Sequence, residues 1–120
     1  MFGKLAKNPA HQLGIDGEKQ AKKHLKKTGY RILDVNYRTR LGELDIVAQK
    51  GEFLVFVEVK TRTNQDPLIQ MTQAKTRKIR TLALAYMAEK EIQDLQPRFD
   101  VISVTQRGAN RTLEHLENAF

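Results

Sequence analysis

Residues 42–60 read GELDIVAQKGEFLVFVEVK, and this stretch decides how we expect the chain to fold. Two parts of it, Gly42 to Gln49 and Phe53 to Lys60, are rich in β-branched and aromatic residues, which favours β-strands. The dipeptide Lys50-Gly51 between them predicts a hairpin turn. The second strand is apolar on both faces, which is typical of a central strand. We therefore expect a sheet that is covered on both sides.

Each of these strands carries a carboxylate inside an apolar run, at Asp45 and at Glu58. A loop with an even number of residues, centred on the predicted turn, would set Asp45 opposite Phe56 and Glu43 opposite Glu58. Cross-strand partners share a face, and side chains alternate along a strand. The side chains expected to point the same way are Glu43, Asp45, Phe56, Glu58 and Lys60. Three carboxylates and one ammonium group are therefore predicted to converge.

Converging carboxylates oppose joint ionisation, and burial increases that cost, so the cluster needs a cation or must bind protons. Lys60 can neutralise one carboxylate. Mg²⁺ (or Mn²⁺), which accepts a few carboxylate oxygens with water or phosphate as further ligands, would neutralise two. Such an ion would polarise a phosphodiester and help to generate hydroxide, while Lys60 positions the water or stabilises the developing charge. The pattern predicts hydrolytic chemistry at Asp45, Glu58 and Lys60.

A second interpretation of the same residues stays open. Glu43 and Asp45 would then lie on a solvated edge strand, and Glu58 and Lys60 would form a surface ion pair that contributes little to stability. The apolar neighbours of Asp45 and Glu58 favour the site instead.

Glu18 is a further candidate for the same site. It lies three residues before Ala21 and seven before Leu25, so on a helix it shares their inward-facing stripe. A carboxylate there needs a partner, and the metal ion of the acidic pocket is one option. The other is a glutamate at the rim of the helix that pairs with Lys22 four residues later.

The rest of the chain predicts the element order α-β-β-β-α-β-β. A first helix spans about Pro9 to Thr28, with a packing stripe whose glycines, Gly14 and Gly17, suggest close approach to another element. The other predicted elements are a strand over 30–37, a helix from Asp66 and Pro67 to about residue 90, and strands over 99–105 and 112–116. This order implies an α/β fold with a mixed sheet that is flanked by helices.

Composition indicates one soluble domain that covers residues 1–120, with a frayed start over 1–9. No apolar run reaches the roughly 20 residues of a membrane span, and no secretory signal is recognisable, so we expect a cytoplasmic protein without a membrane partner. The chain has no cysteine and three scattered histidines. Any bound metal should therefore be a hard ion with oxygen ligands.

The net charge of +7 is spread unevenly along the chain. Residues 1–40 hold ten basic and three acidic residues, whereas residues 41–60 hold two basic and four acidic residues. A basic field around an acidic centre suits a polyanion such as DNA or RNA, although lysines can also serve solubility alone. The residues that we expect to contact nucleic acid are Lys22, Lys23, Lys26, Arg62, Lys75, Arg77 and Lys78.

The spacing of Asp45 and Glu58-Val59-Lys60 resembles the PD-(D/E)XK motif of restriction-endonuclease-like nucleases, with Leu44 in place of the proline. More narrowly, the chain resembles the YraN family of small bacterial proteins over about residues 11–102. The blocks that carry this resemblance are Gly17-Glu18, Ala21, Leu25, Gly29-Tyr30, Asn36, Gly42-Glu-Leu-Asp-Ile-Val47, Phe56-Val-Glu-Val-Lys-Thr-Arg62, Lys75 and Arg98-Phe-Asp-Val101.

That family is related to archaeal Holliday-junction resolvases, so the resemblance implies a restriction-endonuclease-like fold and a DNA substrate. It implies metal ligation by Asp45 and Glu58, a catalytic role for Lys60, and the acidic helix position for Glu18. Glu43 also matches a family position. The basic residues Arg62 and Lys75 match positions near the site, where we expect phosphate contacts. Residues 63–69 depart from the glycine-containing stretch that is usual in the family, which affects substrate positioning.

The leading hypothesis is a metal-dependent DNA endonuclease that acts on branched or otherwise structured DNA. The alternative is a nucleic-acid-binding protein of nuclease fold with little or no activity, a partner in DNA repair, recombination or uptake. A structural adaptor ranks last because it leaves the inward carboxylates unexplained. Nothing in the sequence separates DNA from RNA or marks a dimer interface, and resolvases act as dimers, so a homodimer stays open.

Overall fold

Five strands form one mixed sheet in the order β1-β2-β3-β4-β5 in the computed structural model, which describes residues 9–63 and 71–120. The elements are α1 (Pro9–Lys27), β1 (Arg31–Thr39), β2 (Gly42–Lys50), β3 (Phe53–Thr63), α2 (Gln73–Glu89), β4 (Gln96–Arg107) and β5 (Asn110–Leu116). Strands β3 and β4 are parallel, and the other neighbouring pairs are antiparallel. The predicted α/β class and element order are confirmed.

The two faces of the sheet are covered by different helices. The residues buried against α1 include Ala21, Leu25, Ile46, Ala48, Val55, Val57, Ile102 and Val104. The residues buried with α2 include Val47, Leu54, Phe56, Ile79, Leu82, Ala83 and Tyr86. Strand β3 contributes alternate residues to both clusters, as the continuous apolar run of residues 53–57 requires. The prediction of a central strand that is covered on both sides is confirmed.

The β2–β3 hairpin turns at Gly51 and Glu52, one residue later than predicted. Lys50 pairs with Phe53 and Val47 pairs with Phe56, so the predicted pairing of Asp45 with Phe56 is wrong. The cause is the turn, which uses a glycine at a positive φ of 59° and needs Lys50 as the last ladder residue. The register moves by two residues, and because side chains alternate with a period of two, every side chain keeps its predicted face.

Helix α1 approaches the far end of β3 at Gly17. A side-chain carbon at this position would collide with the Cγ2 methyl of Thr61, so only glycine allows this distance. The predicted close approach is confirmed at Gly17, whereas Gly14 has open space where a side chain would lie. The contact brings Glu18, the next residue of the helix, towards the end of β3 that carries Lys60 and Thr61.

Helix α2 begins at Gln73, with Thr72 as its N-cap: the Thr72 side chain accepts a hydrogen bond from the backbone N–H of Lys75 at 3.1 Å. The predicted helix from residue 66 is wrong over Met71 and Thr72, which are not helical. The backbone of Thr72 is extended and its hydroxyl caps the helix N-terminus, so the helix begins directly after this residue. The predicted N-cap Asp66 and first-turn Pro67 lie outside the described residues. Neither helix of the described chain has the length and hydropathy that a membrane span requires.

Candidate functional site

Asp45 on β2 and Glu58 on β3 line one cleft between the sheet and α2, with a volume of about 280 Å³. The residues of this carboxylate cleft are Gly42, Glu43, Asp45, Glu58, Lys75, Lys78, Ile79 and Leu82. Glu43, Asp45 and Glu58 were predicted to share a face, and all three lie in the cleft despite the changed register. The two strands that the sequence identified first therefore supply its acidic wall, and α2 supplies its basic wall.

The carboxylate of Asp45 is half-buried, and few groups compensate its negative charge. Its Oδ2 accepts a hydrogen bond of 2.8 Å from the backbone N–H of Val59, beyond the last ladder pair between β2 and β3. Burial, together with the neighbouring Glu58 and Glu18 carboxylates, raises the pKa of Asp45 to about 7 against the lowering effect of the Val59 N–H. A carboxyl group with this pKa is one that would gain from a nearby cation.

Glu58 is buried, and two lysines reach the same oxygen of its carboxylate. Lys75 Nζ on α2 lies 2.7 Å from Glu58 Oε2, and Lys60 Nζ on β3 lies 3.7 Å from it. The predicted pairing of Glu58 with Lys60 is present, but the shorter ion pair is formed by Lys75. The buried position of Glu58 distinguishes this cluster from an ion pair on a solvated surface.

The two lysines respond differently to their surroundings. Burial lowers the pKa of Lys60, and the neighbouring Lys75 ammonium group lowers it further. Burial would also lower the pKa of Lys75, but its hydrogen bond to Glu58, the contact with Lys60 and the negative charges of Glu58 and Asp45 together outweigh burial, and the pKa of Lys75 is raised. Lys60 is thus the less well-compensated cation of the pair, as a group that meets new negative charge should be.

Glu18 on α1 lies beside the acidic cluster, in a second cavity of about 460 Å³. The residues that line this α1 groove are Gly14, Ile15, Glu18, Lys19, Lys22, Asn36, Arg38 and Glu43. Asn36 Nδ2 donates to Glu18 Oε1 at 3.0 Å, and Arg38 Nε donates to Glu43 Oε1 at 3.2 Å. Glu43 lines both cavities, so the α1 groove and the carboxylate cleft meet at this residue.

Of the three carboxylates in the cleft, Asp45 and Glu58 form the pair that could hold a divalent ion, since Glu43 pairs with Arg38. Within residues 9–63 and 71–120, no group of three or more histidine, aspartate or glutamate side chains is arranged to hold a metal ion. The donor pair is Asp45 and Glu58, and Glu18 as a third ligand stays a prediction. Mg²⁺ is commonly held by one or two carboxylates, with water and substrate phosphate completing its shell. The chemistry of this donor pair therefore fits Mg²⁺ or Mn²⁺.

The residues expected to contact nucleic acid lie in several places. Lys22 lines the α1 groove, and Lys75 and Lys78 line the carboxylate cleft. Lys23 lines a different cavity with His24, Lys27 and His115. Lys26 and Arg77 are exposed, and Arg62 is half-buried at the end of β3. The structure thus brings only part of the predicted basic set next to the carboxylates.

Three polar residues beside the site were missed by sequence reasoning about function: Lys19, Asn36 and Arg38. Asn36 has a positive φ of 54° inside β1, a conformation in which asparagine is enriched, and its side chain reaches a residue 18 positions away. Arg38 and Lys19 had no signal beyond their charge, because their neighbours in the groove are set by how α1 crosses the sheet.

A second buried carboxylate, Asp100 on β4, was also missed. It is 0% exposed and accepts two hydrogen bonds from Arg98, at 3.0 and 2.8 Å, and one from the backbone N–H of Asn118 at 3.0 Å. His115 Nε2 lies 2.8 Å from it, and His115 Nδ1 lies 3.0 Å from His24 Nε2. A single carboxylate inside the apolar run of residues 99–104 was the signal that could have identified this Asp100 cluster.

Comparison with known proteins gives a consistent result over most of the chain. Residues 17–104 match the Uncharacterised protein family UPF0102. A UPF0102 protein of Geobacter metallireducens is 45% identical over 111 residues, which cover 90% of this chain and 91% of the relative. One from Syntrophotalea carbinolica is 47% identical with 90% of each chain covered, and one from Geotalea daltonii is 43% identical with 95% and 93% covered. The chain therefore belongs to the UPF0102 family, the YraN family that its motifs resemble.

Proposed function

We propose that this protein is a metal-dependent nuclease that hydrolyses phosphodiester bonds at Asp45, Glu58 and Lys60. The observation that carries the proposal is the pair of neighbouring carboxylates, a buried Glu58 and a half-buried Asp45, of which Asp45 has its pKa raised to about 7 by burial and by Glu58. Such a pair costs stability in the free protein, and a bound divalent ion would remove that cost. Strained charges of this kind are typical of functional sites.

The carboxylates of Asp45 and Glu58 would hold the ion, Mg²⁺ or Mn²⁺. A divalent ion at that position would supply Lewis-acid polarisation of the scissile phosphodiester. The backbone N–H of Val59, which donates to Asp45 at 2.8 Å, fixes the orientation of one carboxylate. Glu58 is held within β3 by the pairing of its backbone with Val101 of β4. The protein thus orients both carboxylates in advance.

Lys60 has the role of a cation that meets charge as it develops. Its ammonium group lies on the same face as Glu58, 3.7 Å from Oε2, and its side chain is 23% exposed. A water molecule or a phosphate oxygen can therefore reach it. Lys60 donates to the attacking water or to the phosphoryl oxygens, and this interaction strengthens in the transition state.

Nucleic acid is the substrate class that the surroundings of the site favour. Lys22, Lys19 and Arg38 line the α1 groove, and Lys75 and Lys78 line the cleft, so cations flank the carboxylates on two sides. A phosphate backbone that runs from the groove into the cleft would pass Glu43, where the two cavities meet. Contacts of this kind are independent of sequence. DNA is the proposed substrate, with branched DNA the first form to test.

A panel of labelled DNAs tests the proposal. Branched, duplex and single-stranded substrates, with an RNA hairpin alongside, are incubated with Mg²⁺ or Mn²⁺ and either wild-type protein or Glu58→Gln. We expect cleavage by the wild type that requires the metal and is abolished in the variant, because the amide keeps the shape and removes the charge. Equal cleavage by Glu58→Gln would show that the activity comes from elsewhere or from a contaminant.

A second candidate is a nucleic-acid-binding protein of nuclease fold without turnover. The observation that favours it is the ion pair of 2.7 Å between Lys75 and Glu58, since a lysine already neutralises one of the two carboxylates. The same panel decides between the candidates. Binding that depends on salt, without cleavage in either metal, would support the binding protein.

A further inference from the structure

Lys75 occupies a position where helix geometry disfavours a cation. It is the third residue of α2, directly after the N-cap Thr72 and Gln73-Ala74. The N-terminus of a helix carries partial positive charge, and the first turn of α2 contains no acidic residue. The contact that compensates Lys75 is the one with Glu58, at 2.7 Å. Its placement therefore depends on the carboxylate cleft rather than on the helix.

Two ammonium groups already lie beside the carboxylate of Glu58 in the metal-free protein. Lys60 and Lys75 both approach Oε2 of Glu58, at 3.7 and 2.7 Å, while Asp45 accepts a hydrogen bond from the Val59 N–H. A divalent ion on Asp45 and Glu58 would add two positive charges beside two ammonium groups. Since Lys75 is the nearer of the two to Oε2, it has to move for the ion to use this oxygen.

The two lysines differ in how freely they can move. Lys60 lies within β3, where its backbone pairs with Ser103 of β4, and its side chain is 23% exposed. Lys75 lies at a helix terminus, and its side chain is 43% exposed. A four-carbon stem at the mouth of the cleft can turn outwards without disturbing the sheet.

We propose that Lys75 is a built-in counter-ion, which neutralises Glu58 in the metal-free protein and leaves when a divalent cation binds there. Once released, its ammonium group is free to contact a substrate phosphate at the mouth of the cleft. This inference rests on the proposed function in one respect, that the cation binds to Asp45 and Glu58. It adds that the protein itself supplies the competitor, so affinity for the metal is lower than the two carboxylates alone would give.

A calorimetric Mn²⁺ titration without DNA tests the inference. The proteins are the wild type, Lys75→Met and Lys78→Met, at pH 8. Both variants lose one positive charge from the same helix and the same cleft, but the Lys78 side chain lies against Gly42 rather than on Glu58. We expect Lys75→Met to bind Mn²⁺ about fivefold more tightly than the wild type, and Lys78→Met to change affinity by less than about twofold.

Equal affinity changes in the two variants would overturn the inference, because Lys75 would then act only through general charge. Failure of all three proteins to bind Mn²⁺ would overturn it as well. Lys75→Gln is the second variant if Lys75→Met does not fold, with Lys78→Gln as its control and the same result expected. Circular dichroism melts check folding in each case.

The outcome is separable from that of the proposed nuclease. Tighter Mn²⁺ binding by Lys75→Met, with no cleavage of any DNA by any of the proteins, would support the counter-ion role of Lys75 and reject the nuclease function. Cleavage by the wild type with unchanged Mn²⁺ affinity in Lys75→Met would support the nuclease function and reject the counter-ion role of Lys75.

Discussion

Asp45 and Asp100 are both aspartates in β-strands with apolar neighbours, yet their surroundings have opposite effects. Asp100 accepts hydrogen bonds from Arg98 and from the Asn118 N–H and contacts His115. Burial alone would raise the pKa of Asp100, but these contacts outweigh burial and hold it below its usual value. The pKa of Asp45 is raised to about 7 instead. Burial acts in the same direction on both carboxylates, and the groups around them make the difference: hydrogen-bond donors surround Asp100, whereas other carboxylates lie near Asp45.

The largest effect that we expect is on stability, at the compensated carboxylate. Asp100→Asn should lower the free energy of unfolding by about 3–5 kcal/mol at pH 7, because Arg98 and His115 lose the charge that they share. Urea unfolding measures this. A loss below about 1 kcal/mol would contradict the structural role given to Asp100.

The pH dependence of that loss follows from the sign of the shift. Because the folded-state pKa of Asp100 lies below its usual value of 3.8, its contribution is complete above the unfolded-state value and is lost as pH falls through the folded-state pKa. The difference between wild type and Asp100→Asn should therefore shrink below about pH 4. A difference that stayed constant down to pH 2.5 would contradict the shift.

The second effect is on turnover, at the cluster of Asp45, Glu58 and Lys60. Lys60→Ala should reduce cleavage by about 100-fold or more, because its interaction strengthens in the transition state, while Mn²⁺ binding is kept. A cleavage assay beside a calorimetric titration measures both. Arg31→Ala is the control and should retain most of the activity, because Arg31 is an exposed cation of β1 that pairs with Gln49 and lines neither the cleft nor the α1 groove. Similar losses in both variants would remove the special role of Lys60.

Asp45→Asn should raise the free energy of unfolding, whereas Asp100→Asn should lower it. Since folding raises the pKa of Asp45 from its usual 3.8 to about 7, stability falls as pH rises between these values, and the ionised carboxylate is a cost above pH 7. The asparagine can still accept from the Val59 N–H. We expect the variant to be about 1–2 kcal/mol more stable at pH 8 and equal to the wild type near pH 4.

Asp94→Asn is the control for that measurement, since Asp94 is exposed and should change stability by less than about 0.5 kcal/mol. Thermal melts at the two pH values give the comparison. Destabilisation by Asp45→Asn at pH 8 would mean that Asp45 is compensated after all.

The smallest effect distinguishes two neighbouring lysines. Lys22 lines the α1 groove beside Glu18, whereas Lys23 lines the cavity near His24 and His115. Lys22→Gln should weaken DNA binding across all sequences and lower the salt slope by about one unit, and Lys23→Gln should do less. Fluorescence anisotropy over a range of salt concentrations measures this. A larger effect of Lys23→Gln would place the nucleic acid on the other side of α1.

The sequence predicted the element order of the fold, and it predicted that Asp45 and Glu58 share one face of the sheet. A carboxylate inside an apolar run identified Asp45 and Glu58, and their shared face survived the change in register because the error was two residues. The same pattern at Asp100 did not reveal its role, since its partners Arg98 and His115 are recognisable only from the structure. A hydrophobic pattern therefore predicts that a carboxylate is buried, but it does not predict which groups will form hydrogen bonds or ion pairs with it.

Two features could not be predicted because they depend on packing between distant segments. The contact of Gly17 with Thr61 sets how closely α1 approaches β3, and so where Glu18 lies. The start of α2 at Gln73 places Lys75 on its first turn, where it reaches Glu58, and an N-cap at residue 66 would have placed Lys75 inside the helix. Sequence reasoning assigned Lys75 to substrate phosphate and did not anticipate its ion pair.

The central claim is that the negative charge of Asp45 and Glu58 is only partly neutralised in the free protein, so that the two carboxylates bind a divalent cation. A Mn²⁺ titration of the wild type and Asp45→Asn at pH 8, above the pKa of about 7 for Asp45, tests this claim most directly. We predict Mn²⁺ binding by the wild type that Asp45→Asn abolishes, with the variant folded and at least as stable. Absence of Mn²⁺ binding by the wild type, alone and with DNA, or equal binding by Asp45→Asn, would contradict the account.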